Sequence, residues 1–156
     1  MNALKENITA HPFFRNMKPE HLDILSAGAT AATFEPDQIL FREGQPANQI
    51  YLIGKGRIAL EAHEPADGTA LVEHLGAGEV LGWSWLFPPF VWHFRARAVE
   101  PSEAIVLSGA HLLAAAERNP EFGYELMKRV AQVVIQRLQT TRKQLLDEQI
   151  DSALQG

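Results

Sequence analysis

The sequence has 156 residues, enough for one domain with its own core, and its 46% hydrophobic and 21% charged content is ordinary for a globular chain. Its 14 basic residues stand against 19 acidic ones, a net charge of −5, which argues against a nucleic-acid partner, because such domains carry a basic face. It has no cysteine, which excludes disulfides, thiolate metal sites and thiol catalysis. No apolar run reaches the roughly 18 residues of a membrane helix, and residues 1–7 lack the apolar stretch of a secretory signal, so a cytoplasmic location with no membrane partner is expected.

Residues 1–28 read as helix. Pro19 suits a first helical position, with Glu20 and Asp23 in the first turn, where acidic charge complements the helix dipole. Leu22, Ile24 and Leu25 supply an apolar face, Gly28 a stop, and Phe13 with Phe14 an anchor. From residue 30 the pattern changes to short strands, expected over 31–34, 38–42, 49–53, 57–63, 69–75, 79–81, 93–99 and 104–107. Turn signals separate them: Glu35-Pro36-Asp37, Gly54-Lys55-Gly56 and Asp67-Gly68. This pattern predicts an all-β roll or barrel.

Helix returns over residues 108–117. Asn119-Pro120-Glu121 then reads as N-cap, N1 and N2 of a long helix reaching about residue 148, roughly 42 Å at 1.5 Å per residue. Leu126, Val130, Val133, Val134, Leu138, Leu145 and Leu146 form an apolar stripe along it. The stripe outruns a small roll, so a homodimer through this helix is expected. Lys128, Arg129, Arg137, Arg142 and Lys143 read as its solvated face, and residues 151–156 as frayed.

Residues 76–99 carry the most chemistry. A glycine-punctuated strand and turn, Gly76 to Gly82, precedes all three tryptophans, Trp83, Trp85 and Trp92, with Phe87, Phe90 and Phe94 among them, and then Arg95 and Arg97. Glycines with arginines close behind suit a phosphate cradle; tryptophans suit the filling of a hole, or an aromatic pocket that stacks a ligand. Arg95 and Arg97 share one face of their strand. Arg97 is expected on the solvent face, paired with a carboxylate such as Glu100 or Glu103, while Arg95 fits either that face or the interior. His11, His21, His63, His74, His93 and His111 show no ligand spacing, so no metal is expected. Gly82-Trp83-Ser84-Trp85-Leu86 lacks the second glycine of a nucleophile elbow, which leaves Ser84 as a helix N-cap.

Two stretches carry a family resemblance: FEPDQILFREGQPANQIYLI over residues 34–53 with Gly56, and LGAGEVLG over 75–82. With these the chain resembles, from Phe13 to Leu146, the cyclic-nucleotide-binding domains of catabolite-activator-type regulators, kinase regulatory subunits and gated channels. The resemblance implies a fold that is mainly β with helices (α+β). A β roll of the double-stranded β-helix or jelly-roll kind, over residues 30–107, would lie between N-terminal helices over 1–28 and C-terminal helices over 108–148, all in one domain over 1–156. It also implies a phosphate-binding cassette after Gly82, in which a glutamate accepts from the ribose 2′-hydroxyl and an arginine pairs with the cyclic phosphate.

Counted without gaps from Gly82, Trp83 stands where that glutamate belongs and Trp92 where that arginine belongs. Phe94 and Arg95 fall at the small-residue and Thr/Ser positions. Indole N–H is a donor only. Each lost charged hydrogen bond costs about 1.5–3 kcal/mol, so losing two weakens binding roughly 100-fold or more. The implied ligand contacts are Gly82, Trp83, Ser84, Trp85, Trp92, Phe94 and Arg95, with Arg95 the replacement cation if it faces inward. Asp37 is a second departure, at a position where the family usually has glycine. The family's helix-turn-helix DNA-binding extension is not legible.

The expectation is a non-enzymatic regulatory module that senses a small anionic or nucleotide-like ligand, with no cofactor and with its output in a separate effector protein. A ligand-free dimerisation scaffold is the alternative. A cupin-type metal oxygenase would need clustered inward histidines and a carboxylate, which the spacing does not offer.

Overall fold

The computed structural model describes residues 3–64, 68–82 and 89–155. Three helical segments come first: α1 (Ala3–Ala10), a 3-10 turn (Pro12–Phe14) and α2 (Pro19–Ala27). Eight strands follow: β1 (Ala29–Phe34), β2 (Ile39–Phe41), β3 (Gln49–Lys55), β4 (Arg57–Glu64), β5 (Gly68–Gly76), β6 (Val80–Leu81), β7 (Arg95–Ala98) and β8 (Ser102–Ser108). Helices α3 (Gly109–Arg118) and α4 (Pro120–Gln155) end the order.

The strands form two four-stranded sheets, ordered β1-β8-β3-β6 and β2-β7-β4-β5, with antiparallel pairing throughout. This is the expected roll between helices. The last strand before the C-terminal helices begins at Ser102, and β7 begins at Arg95 rather than at residue 93.

Strand β3 of the first sheet is buried on both sides. In β3, Tyr51 and Ile53 face the other sheet, while Ile50 and Leu52 face the helices. That is why this strand reads as a continuous apolar run rather than an alternation. The inter-sheet cluster adds Phe41, Ile58, Leu60, Leu75, Leu81 and Trp92. The helix-side cluster joins Phe13, Phe14 and Leu25 to Leu112, Phe122 and Leu126.

His11 ties the 3-10 turn to the roll. Its Nδ1 accepts from the Phe13 N–H at 3.2 Å, and its Nε2 donates to the Ile53 carbonyl at 3.2 Å. Only the neutral ring satisfies both contacts. Burial pushes its pKa below the ordinary 6.5, against an upward pull from the carbonyls of Ile53 and Glu79.

Helix α4 runs for 36 residues and stays helical through Gln155, past the expected end near residue 148. The added segment contains no proline or glycine to stop it. Leu126 and Val130, expected on a partner-facing stripe, are buried in the chain's own core, with Val133 and Val134 packed against it. Ile135, Leu138 and Leu146 are exposed.

Candidate functional site

Residues 89–92 lie against the β2–β3 connection, where Val91 bridges Pro46. Gly82 has a φ of +100°, and a Cβ there would lie 2.7 Å from the Trp92 ring and 3.0 Å from the Gln49 carbonyl. Conformation and close approach both require glycine. Trp92 is only 4% exposed. Its ring stacks on Phe41 at a centroid distance of 3.8 Å, with Tyr51 tilted at 6.4 Å. Its backbone is strapped to the β2–β3 connection: Trp92 N–H donates to Gln45 O at 3.0 Å, and Gly44 N–H donates to Trp92 O at 2.8 Å. Ala47 N–H donates to Phe90 O at 2.8 Å. The tryptophan thus sits in the space between the sheets.

Arg95 and Arg97 lie on the other face of β7. Ala96 and Ala98 belong to the inter-sheet cluster, so the alternating arginines face away from it. Glu61 stands directly across from Arg95 in the β4–β7 register and is 8% exposed. Its Oε1 accepts from Arg95 Nη2 at 2.8 Å and Nε at 3.1 Å; its Oε2 accepts from Arg97 Nη2 at 3.1 Å. Arg97 Nη1 also donates to Asp37 Oδ1 at 2.8 Å. Burial pushes the Glu61 carboxyl up, but the hydrogen bonds and charges of Arg97 and Arg95 outweigh it and hold the pKa below the ordinary value.

The expected partners of Arg97, Glu100 and Glu103, are therefore replaced by Glu61 and Asp37. The cross-strand register explains the change, since Glu103 lies by Lys55 on the other sheet. Glu61 was not legible as a partner, because nothing local in sequence fixes which residue faces Arg95.

Of the seven cassette residues expected to touch a ligand, Gly82 and Trp92 meet each other inside the roll. Phe94 is 37% exposed, and Arg95 is held by Glu61 on the outer face of its sheet. Trp83, Ser84 and Trp85 lie outside the described residues.

An open groove of about 1080 Å³ runs between α4, the 3-10 turn and β5–β6. Two arginines of α4 cross it. Arg129 Nη1 donates to the Phe13 carbonyl at 2.6 Å, and Arg137 Nη2 donates to Glu73 on β5 at 2.5 Å. The Arg137 and Glu73 side chains are both mostly buried, so these basic residues are not the solvated face the sequence suggested. They fasten α4 to the roll.

Two antiparallel sheets facing each other, closed by short N-terminal helices and a long C-terminal helix, define a β-roll module. The chain belongs to the cyclic nucleotide-binding domain family, whose pattern matches residues 31–119. Its fold is similar to that of a protein from Geobacter metallireducens GS-15 described as cyclic nucleotide-binding, with 26% identity, a TM-score of 0.77, and coverage of 88% of this chain and 99% of that one. It is similar to a cyclic nucleotide-binding domain from Methylobacillus flagellatus KT, with 21% identity, a TM-score of 0.79, and coverage of 93% and 82%. The regulatory subunit of a cAMP-independent protein kinase A from Trypanosoma brucei shares the fold at 18% identity and a TM-score of 0.67, covering 83% of this chain and 46% of that one.

Among curated proteins, the acetyltransferase Pat of Mycolicibacterium smegmatis is 33% identical over 76 residues, 49% of this chain and 22% of that protein. The cAMP/cGMP-dependent phosphodiesterase B of Dictyostelium discoideum is 24% identical over 82 residues, 53% of this chain. The chain spans about a fifth of the first and 7% of the second. Among the described residues, no helix is long and apolar enough to cross a membrane.

Proposed function

We propose that this chain is a non-enzymatic regulatory module that carries an altered ligand site on the cyclic-nucleotide-binding fold and passes its signal from the roll to α4. The observation that carries this reading is Trp92. It fills space between the sheets at the position where the family's pattern places the phosphate-binding arginine. Ordinary cyclic AMP and cyclic GMP then lack their cation, and Trp83 offers no carboxylate to the ribose. The fold alone does not dictate cyclic AMP, since the trypanosome regulatory subunit is named as cAMP-independent.

Any ligand of the cassette is a small anion with a flat or apolar body that meets Trp83 and Arg95. Arg95 faces the outer side of its sheet, so such a ligand would meet it there and compete with Glu61 for its guanidinium, which couples binding to the Glu61–Arg97–Asp37 chain. The signal reaches α4 through Arg137 on Glu73 and Arg129 on the Phe13 carbonyl. These two contacts would differ between the two states of the switch. The exposed apolar residues of α4 support a homodimer, with an effector protein as the receiver.

A screen of small anions by tryptophan fluorescence tests the reading, because all three tryptophans lie at residues 83–92. A hit is expected to lose most of its affinity in Arg95→Ala and to change its quenching in Trp83→Phe. A ligand that binds both variants as well as the wild type would place the site elsewhere. The ligand-free scaffold is the second reading, favoured by the close stacking of Trp92 on Phe41. A complete screen without a hit supports it.

A further inference from the structure

His21 is 2% exposed, and neither of its ring nitrogens has a hydrogen-bond partner among the described residues. A buried imidazole with both nitrogens unsatisfied is costly, and such a group calls for an explanation. The ring packs edge-on against Phe122 at 5.5 Å, which accounts for its apolar side but for neither nitrogen. Two carboxylates stand beside it. One oxygen each from Glu20 and Glu121, with one His21 nitrogen, all lie within 4.8 Å of one another. Glu20 and His21 belong to the first turn of α2 and Glu121 to the first turn of α4. The cluster therefore spans the junction of the N-terminal and C-terminal helices.

We propose that Glu20, His21 and Glu121 form a divalent transition-metal site, best suited to Zn2+, that fastens the start of α4 to α2. One imidazole and two carboxylates make a three-ligand set that leaves a fourth tetrahedral position for water. Tetrahedral donors at about 2.1 Å from zinc stand ~3.4 Å apart, so the three need to close by roughly an ångström. Glu20 and Glu121 are exposed, Glu121 would exchange its pairing with Lys18 for the metal, and the buried His21 supplies the fixed ligand. The imidazole favours zinc over magnesium or calcium, which prefer all-oxygen sites.

The cluster already attracts a cation, for the Lys18 ammonium pairs with Glu121. A metal would take the place of Lys18. It would also fix the seating of α4, the element that carries Arg129 and Arg137.

The test titrates Zn2+ into chelator-treated full chain by calorimetry and thermal unfolding, with Mg2+ as control. The expected result is one Zn2+ per chain and a rise in Tm of about 5–10 °C at one hundred times the dissociation constant, reversed by EDTA and absent with Mg2+. His21→Phe suits the apolar surroundings and should lower Zn2+ affinity at least 10-fold. Glu121→Gln changes an exposed side chain, so it reports even if His21→Phe does not fold, and the same loss is expected. Lys18→Met should tighten binding. No Zn2+ binding by the wild type, or binding undiminished in Glu121→Gln and His21→Phe, would overturn the proposal.

Discussion

The indole of Trp92 lies flat on the ring of Phe41, with centroids 3.8 Å apart and planes 12° apart, and its outer edge closes on Gly82. This contact joins three separate stretches of chain: β2, the residue after β6, and the segment that leads into β7.

Trp92→Ala is expected to destabilise the fold by about 3–5 kcal/mol, because it removes a large buried side chain and leaves a cavity. Gly82→Ala should cost about 1–2 kcal/mol for the left-handed backbone and a further 1–3 kcal/mol for overpacking against the indole. Combining Gly82→Ala with Trp92→Leu should cost less than the sum of the two, since the smaller side chain relieves the overlap. Urea unfolding followed by circular dichroism measures all four variants, the Trp92→Leu single included; strict additivity would remove the contact from the account.

Stability should fall in two separate acid windows. His11 has a folded pKa below the ordinary 6.5, so the unfolded chain takes the proton first. Its contribution is complete above 6.5 and declines as pH drops towards the folded value. Glu61 has a folded pKa below the ordinary 4.5, so its contribution is complete above 4.5 and is lost as pH falls through the folded value. Each unit of depression corresponds to about 1.4 kcal/mol. His11→Gln should flatten the upper window and Glu61→Gln the lower one. Thermal unfolding across pH 3–8 reads both, and an unchanged slope in either variant would remove that residue from the account.

Asp37 has a φ of +70°, which is the physical reason a glycine suits this turn. Asp37→Gly relieves the left-handed cost of roughly 1 kcal/mol and loses an exposed ion pair with Arg97, worth about 0.2–1 kcal/mol. The net change should be near zero or slightly stabilising. Asp37→Ala keeps the strain and loses the pair, so it should destabilise by about 1 kcal/mol. Chemical denaturation that ranks Ala above Gly would contradict this.

Leu138 is 67% exposed on α4, beyond the residues that α4 buries in its own core. Sedimentation of the wild type at micromolar concentration is expected to give twice 17.3 kDa, and Leu138→Glu should give folded monomers whose unfolding no longer depends on protein concentration. A monomeric wild type would contradict the dimer.

The fold was legible because its signals are local. Turn signals such as Glu35-Pro36-Asp37 and Gly54-Lys55-Gly56, and Asn119-Pro120-Glu121 at the start of α4, each act within a few residues. Resemblance over residues 34–53 then supplied the arrangement. The site was less legible because its contacts are long-range. Glu61 meets Arg95 through the register of β4 on β7, and Arg137 meets Glu73 through the path of α4 over the roll. The stripe on α4 was legible as apolar, but its division between the chain's own core and an outer face depends on where the roll ends. His21 gave no signal in sequence, because its carboxylate neighbour Glu121 is 100 positions away.

Calorimetric titration of the protein with cyclic AMP and cyclic GMP tests the central claim most directly, that Trp83 and Trp92 have replaced the groups that hold these nucleotides. The account expects no saturable heat for either nucleotide at low-micromolar concentration, a loss of roughly 100-fold or more relative to an intact cassette. Saturable low-micromolar binding of either nucleotide by the wild type would contradict it.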